Sequence, residues 1–130
     1  MIEPATEIEA ATLVTFRRAA SGGPPELLMV VRARELAFAG GMAVFPGGRV
    51  DPADRALAAR LAGGRDISEI AHRIAAVRET IEETGLVPAV TRTISAADAS
   101  LLRKEVAQTG ALGPVLDAHG LTLNLEALVP

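Results

Sequence analysis

The chain has 130 residues, the size of one domain with a single hydrophobic core. Its net charge of −3 argues against a nucleic-acid-binding surface, and the absence of cysteine excludes a disulfide framework and a cysteine-based zinc site. The acidic start lacks the features of a secretory signal and the longest aliphatic run, 27–31, is too short to cross a membrane, so we expect a soluble, cytoplasmic protein with no membrane partner.

Strands are expected in the first part of the chain. Residues 11–18 alternate between apolar and polar side chains, which predicts a half-buried strand. The aliphatic run 26–32 predicts a strand buried on both faces, and the Gly-Pro break at 21–25 predicts that the two strands form a hairpin. A third, short strand is expected at 42–45, where it runs into a Pro-Gly-Gly loop at 46–48.

Helices are expected in most of the remainder. The Asp-Pro pair at 51–52 is typical of a helix start and predicts a short helix over 55–62. Asp66 is placed to begin the main helix, expected at 67–84, and Gly85 is placed to end it in the left-handed conformation. Beyond it we predict a short strand at 87–90, helices at 95–108 and 112–119, and a loosely alternating strand at 121–129.

The main helix carries three carboxylates on one face. At about 100° per residue, Glu79, Glu82 and Glu83 lie together, opposite an apolar face that should form the core. Like charges at this spacing destabilise a helix by roughly 0.2–0.5 kcal/mol per pair. An acidic face by itself is often only solvated. A bound divalent cation is the alternative, since Mg²⁺ and Mn²⁺ prefer clustered carboxylates.

The segment R-E-T-I-E-E-T-G-L at 78–86, with F-P-G-G at 45–48 upstream, resembles the Nudix box, G-x5-E-x7-R-E-U-x-E-E-x-G-U, in which U is a bulky aliphatic residue. Only Thr80 departs from the second half of this pattern. Gly48 would open the box and Asp54 would stand in the place of its first glutamate. Arg78 follows Asp54 by 24 residues where the box has eight, so 16 residues are inserted between the halves.

The resemblance implies an α/β fold, a Nudix-type α/β/α sandwich around a mixed sheet, and a Mg²⁺- or Mn²⁺-dependent diphosphatase (pyrophosphohydrolase). Arg78 stands four residues before Glu82 and can hold its carboxylate in place. The general base stays open, with Glu79 as one candidate. The implied catalytic residues are Glu79, Glu82, Glu83 and Arg78, the implied metal ligands are Glu79, Glu82, Glu83 and Gly48, the implied substrate-binding residues are Arg32, Phe45, Gly47 and Gly48, and Asp54 is a further candidate.

A finer resemblance concerns the coenzyme A diphosphatase branch of these enzymes. Its upstream L-L-T-x-R element and its steps of four residues to F-P-G-G are matched in spacing, but Val30 replaces the threonine and Ala37 the second arginine. The favoured substrate is therefore coenzyme A or an acyl-CoA. ADP-ribose, a dinucleoside polyphosphate and a non-catalytic nucleotide-sensing domain remain alternatives.

Only 44 residues follow Leu86, fewer than the several strands and helix that usually complete a Nudix domain. We therefore expect residues 1–130 to be the N-terminal part of such a domain, incomplete at its C-terminal end. A homodimer in which a second copy completes the sheet is the alternative. Arg103 and Lys104 are interpreted as solvating surface charges, and His72 as a surface or supporting histidine outside the metal site.

Overall fold

The structure, a computed structural model, describes residues 4–33 and 40–130. Ala37, used in the coenzyme A comparison, lies outside the described residues. Six short strands precede the helices, and all pairings among them are antiparallel: β2 with β3, β4 with β5, and β1 with β6. The strands are β1 (Ala10–Thr12), β2 (Phe16–Arg17), β3 (Glu26–Leu27), β4 (Val30–Val31), β5 (Ala43–Val44) and β6 (Gly47–Arg49).

The predicted hairpin is present, and residues 42–49, which we call the bridging loop, lie between its two arms. The first arm (10–17) meets the second (26–32) where the Leu28 N–H donates to the Thr15 carbonyl over 2.9 Å. Two residues earlier, the Leu13 N–H donates to the Pro46 carbonyl instead, also over 2.9 Å. Alternate residues present their backbone groups to the same edge of a strand. The bridging loop therefore enters between the arms and pairs with both through β5 and β6.

Four helices follow the strands and match the predicted segments closely. They lie within the described residues, and none of them is long and apolar enough to cross a membrane. The helices are α1 (Pro52–Leu61), α2 (Ile67–Thr84), α3 (Ala96–Thr109) and α4 (Leu112–Ala118).

Helix α2 begins and ends where the sequence predicts. The Asp66 side chain accepts hydrogen bonds from the backbone N–H groups of Ser68 and Glu69, over 2.8 and 3.3 Å. Gly85 adopts the left-handed conformation with φ of 77°, and its N–H donates to the Ile81 carbonyl. These local signals are strong because each satisfies backbone groups that a helix end leaves without partners.

The apolar face of α2 forms the centre of the core. Its four large residues are at most 2% exposed and pack with buried residues of the other three helices. The opposite side of α2 packs against β1 and β6, so the helix is buried on two sides. Ala75 and Ala76 of α2 are 0% and 5% exposed. Their small size fits the close contact between α2 and the sheet.

The second arm of the hairpin is not buried on both faces, and that prediction is wrong. Its residues alternate between half-buried and exposed, as do those of the first arm. The reason is that α2 packs against one face of the sheet, whereas the large apolar residues of the other face stay exposed. We call this other side the outer face; its large apolar residues are Val14, Phe16, Leu27, Met29 and Val31.

The end of the chain also differs from prediction. Residues 87–90 and 121–129 contribute a single antiparallel bridge between Val90 and Leu123, and a 3₁₀ turn forms at Leu125–Ala127. Arg73 of α2 holds this segment by donating to the carbonyls of Leu125 and Leu128, over 3.0 and 2.6 Å. The alternation of apolar and polar residues in this segment does not mark a strand. It arises because Leu121 and Leu125 point into the core, whereas the polar residues between them do not belong to it.

Candidate functional site

Helix α2 meets the bridging loop where Glu79 lies against Gly48. A Cβ atom at Gly48 would overlap the Glu79 carboxylate, and one at Gly47 would overlap the Ala11 carbonyl oxygen. Glycine is therefore needed at position 47, where the overlap is with backbone, whereas a side chain at position 48 would displace the Glu79 carboxylate. The two halves of the predicted site, one on the loop and one on the helix, come together here.

Arg78 is the centre of a buried hydrogen-bond network beside this contact. Its Nε and Nη2 atoms donate to the two carboxylate oxygens of Asp54 over 2.9 and 3.0 Å, and Nη2 also donates to the Arg49 carbonyl over 2.9 Å. Its Nη1 atom donates to Glu79 over 3.1 Å and to Glu82 over 3.3 Å. One guanidinium therefore orients two of the three predicted metal ligands.

Asp54 lies beside Arg78 although 24 residues separate them in the chain. The inserted residues form most of α1 and the turn into α2, and this excursion returns the chain to the same place. Asp54 is 1% exposed, and its carboxylate also accepts the backbone N–H of Asp51 over 2.8 Å at the start of α1. Both of its oxygens are thus engaged by protein donors, which gives it the position of an orienting group for Arg78.

The network keeps Arg78 charged. Burial alone would favour loss of the proton, but the hydrogen bonds and negative charges of Asp54, together with the charges of Glu79 and Glu82, outweigh that effect and raise the pKa of Arg78 above its ordinary value. A permanently charged arginine at 2% exposure depends on these partners, because an unpaired buried charge is strongly unfavourable.

Burial also raises the pKa of the Glu79 carboxyl group. The positive charge and hydrogen bond of Arg78 act in the opposite direction, while the negative charges of Glu82 and Glu83 add to the rise. The side chain of Glu79 is 18% exposed. Its carboxylate is therefore a group that a cation would stabilise.

Glu83 faces the bridging loop. Although much of its surface is exposed, partial burial of the carboxyl group and the charge of Glu82 raise its pKa. A hydrogen bond from the Gly47 N–H and the positive charge of Arg32 offset part of this rise. Glu83 thus connects α2 with two predicted substrate-binding residues.

The oxygen atoms on this face of α2 and in the neighbouring loop are ligands that suit a hard divalent cation. Three carboxylates stand on one helix face, next to the backbone of Gly48, and oxygen ligands of this type are those that Mg²⁺ and Mn²⁺ prefer. Within residues 4–33 and 40–130, no three acidic or histidine side chains already stand close enough to hold one ion. Binding would therefore require the carboxylates to move closer together.

The predicted substrate-binding residues line one depression of about 520 Å³ beside the carboxylates. Its floor is the bridging loop and its wall is the end of the second hairpin arm. The lining residues are Ala10, Ala11, Thr12, Met29, Arg32, Ala43, Val44, Phe45, Gly47 and Gly48.

Arg103 has a role that the sequence interpretation missed. It was interpreted as a solvating charge, but its Nε atom donates to the Glu82 carbonyl over 3.0 Å and its Nη2 atom to the Glu83 carbonyl over 3.3 Å. These are backbone groups that the end of α2 leaves without helical partners. No sequence signal identifies this contact, because it depends on how α3 crosses α2.

Comparison with known proteins gives one informative result. No family model matches the chain, and no curated protein matches it. Among solved structures, the chain is similar to a protein described as a NUDIX hydrolase from Alicyclobacillus acidocaldarius, with 32% sequence identity and a TM-score of 0.70. The match covers 91% of this chain and 57% of that one, so the chain spans little more than half the length of its structural relative.

Proposed function

We propose that this chain, which has the Nudix hydrolase fold, belongs to that superfamily and carries the metal-binding helix of a diphosphate-cleaving enzyme. The reaction would be Mg²⁺- or Mn²⁺-dependent hydrolysis of a nucleoside diphosphate linked to another moiety.

The observation that carries the proposal is the contact between Glu79 and Gly48 beside the Arg78 network. A solvated acidic face would not need a glycine loop pressed against it or a buried arginine shared by two of its carboxylates. Both features hold carboxylates in a partly desolvated place, where a bound cation would stabilise their negative charge further.

Each residue would have a definite task. Glu79, Glu82, Glu83 and the backbone of Gly48 would hold the metal, and Arg78 would order Glu79 and Glu82. When bound, the ion would supply charge neutralisation for the phosphate oxygens and activation of water for the hydrolysis. Asp54 would act only through Arg78, and Glu79 stays a candidate general base.

Coenzyme A or an acyl-CoA is the favoured substrate. The depression beside the carboxylates contains Arg32, which suits a phosphate, and Phe45, which offers an apolar surface. ADP-ribose and dinucleoside polyphosphates share the diphosphate chemistry and are the alternatives to test.

A nucleotide-sensing domain without turnover is the second candidate. The observation that favours it is the engagement of the carboxylates by Arg78 and Gly47, with no preassembled group of three ligands in the described part of the chain. Such a domain would bind the diphosphate compound but leave it intact.

The test compares the chain with its Glu82→Gln variant and with Glu69→Gln, a matched control on the same helix whose carboxylate pairs with Arg73 outside the site. Each protein is incubated with coenzyme A, ADP-ribose and a dinucleoside polyphosphate, with and without Mg²⁺ or Mn²⁺. We expect metal-dependent products from the chain and from the control, and a loss of about 100-fold or more in Glu82→Gln, equivalent to a few kcal/mol of charge stabilisation.

Three results would separate the candidates. A preference for ADP-ribose would keep the hydrolase and reject coenzyme A as the substrate. Binding without products would favour the sensing domain. Equal turnover by the chain and by Glu82→Gln would contradict the proposed metal site.

A further inference from the structure

The end of α2 carries two of the three proposed metal ligands. Glu82 and Glu83 lie in the last turn of this helix, whose final residue is Thr84. The last four carbonyl groups of a helix have no partner within it, and the negative end of the helix dipole lies there. Two carboxylates in this position are therefore repelled by the helix end as well as by each other. The last turn itself contains no basic residue that would offset this repulsion.

Arg103 supplies a positive charge to this helix end from the neighbouring helix, α3. Its Nε atom donates to the Glu82 carbonyl over 3.0 Å, and its Nη2 atom donates to the Glu83 carbonyl over 3.3 Å. One planar guanidinium thus joins the backbone oxygens of two consecutive metal ligands, a geometry that a lysine cannot reproduce. Because both acceptors are carbonyl oxygens, these hydrogen bonds do not occupy the carboxylates.

The packing of α3 and a glycine at the end of α2 place Arg103 where it is. Helix α3 is anchored in the core by Leu102 and Val106, which are both 0% exposed. A Cβ atom at Gly85 would stand 3.4 Å from the Nη1 atom of Arg103 and 3.5 Å from its Cδ atom. The glycine therefore leaves room for the arginine side chain to lie across the end of α2.

Metal binding requires movement at this end of α2. In the described ranges 4–33 and 40–130, no three acidic or histidine side chains are close enough together to hold one ion. If the last helical turn were frayed, binding would have to order its backbone as well as bring the carboxylates together. The free energy spent on ordering is lost from the affinity. A backbone that is already held in place removes this cost.

We propose that Arg103 is a positioning residue of the metal site, which keeps the last turn of α2 helical so that only side chains have to move when an ion binds. The inference rests on the proposed function, because it needs the metal site on α2. Arg103 acts through the backbone of Glu82 and Glu83, whereas Arg78 contacts the carboxylates of Glu79 and Glu82 directly.

The charge of Arg103 and its hydrogen bonds have opposite effects on the affinity for a cation. A positive charge near the site repels Mn²⁺, so removal of Arg103 would strengthen binding if its charge were the dominant effect. Loss of the two hydrogen bonds would instead weaken binding, because the last turn of α2 would no longer be held. The sign of the change in affinity therefore separates the two effects.

The experiment measures Mn²⁺ binding by calorimetry for the chain, Arg103→Met and Arg103→Lys. The temperature is one at which circular dichroism shows every variant to be folded, so a loss of stability alone does not change the affinity. We expect the affinity to fall about tenfold in Arg103→Met. The fall should be smaller in Arg103→Lys, which keeps the charge and can reach one of the two carbonyls.

Two control variants isolate the effect of charge and the effect of helix stability. Lys104→Met removes a positive charge from the next residue of α3. Asp66→Ala weakens α2 at its other end, where the Asp66 side chain accepts the N–H groups of Ser68 and Glu69. Neither change should weaken Mn²⁺ binding.

The results distinguish a failure of this inference from a failure of the proposed function. Mn²⁺ binding by the chain, with unchanged or higher affinity in Arg103→Met, would overturn the positioning role and keep the metal site. An equal loss of affinity in Asp66→Ala would also overturn it, because any weakening of α2 would then have the same effect. No Mn²⁺ binding by the chain or by any variant would reject the metal site, and the positioning role with it.

Discussion

Replacing Asp54 by asparagine tests whether the buried network holds the fold together. The substitution keeps the size of the side chain and one oxygen acceptor, but it removes the charge opposite Arg78. Both residues are at most 2% exposed, and removing one partner of such a pair costs about 3–5 kcal/mol. We expect the lower end, about 3 kcal/mol, because Glu79 and Glu82 still face the guanidinium.

The control is Asp117→Asn, which breaks the Arg60–Asp117 bridge between α1 and α4. The side chains of that pair are 58% and 59% exposed, so the expected cost is below about 1 kcal/mol. Unfolding in urea is followed by far-ultraviolet circular dichroism, since the chain has no tryptophan or tyrosine for fluorescence. Equal free energies of unfolding for the two variants would refute the assignment of a stabilising role to the buried pair.

Other substitutions address the site and the helix ends. Gly48→Ala should displace the Glu79 carboxylate and weaken Mn²⁺ binding about tenfold in calorimetry, whereas Gly23→Ala, whose Cβ would have ordinary contacts, should not. Gly85→Ala should lower the free energy of unfolding by about 1–2 kcal/mol, because alanine is strained at a φ of 77°; an unchanged urea midpoint would contradict this. Arg103→Lys should accelerate amide exchange at the end of α2, since a lysine cannot bridge both carbonyls. Without metal, the raised pKa of Glu79 means that ionisation of its carboxyl group opposes folding. Any stability that Glu79→Gln gains over the parent chain should therefore be absent below the ordinary glutamate range and grow as pH rises through the pKa of Glu79. A gain that is constant with pH would show that ionisation is not involved.

The sequence predicted well the features that depend on neighbouring residues. The bounds of α2 follow from Asp66 and Gly85, which satisfy the helix ends locally. The shared face of the three glutamates follows from helical geometry, and the Arg78–Glu82 contact follows from its four-residue spacing.

Features that depend on tertiary contacts were predicted poorly or missed. The aliphatic second arm indicated burial on both faces, but composition shows only what a surface could bury and not what covers it. Arg103 was indistinguishable from a surface charge until the crossing of α3 and α2 was known. The proximity of Asp54 and Arg78 depends on the path of the 16 inserted residues, which no spacing rule describes.

The bridging loop connects the sheet to the acidic face of α2. Its backbone is hydrogen-bonded to both arms of the hairpin, and its Gly48 rests on the Glu79 carboxylate. A change in the distance between the two arms must therefore move the bridging loop relative to α2. The precision of the carboxylate positions therefore depends on how rigidly the two arms of the hairpin hold the bridging loop against α2.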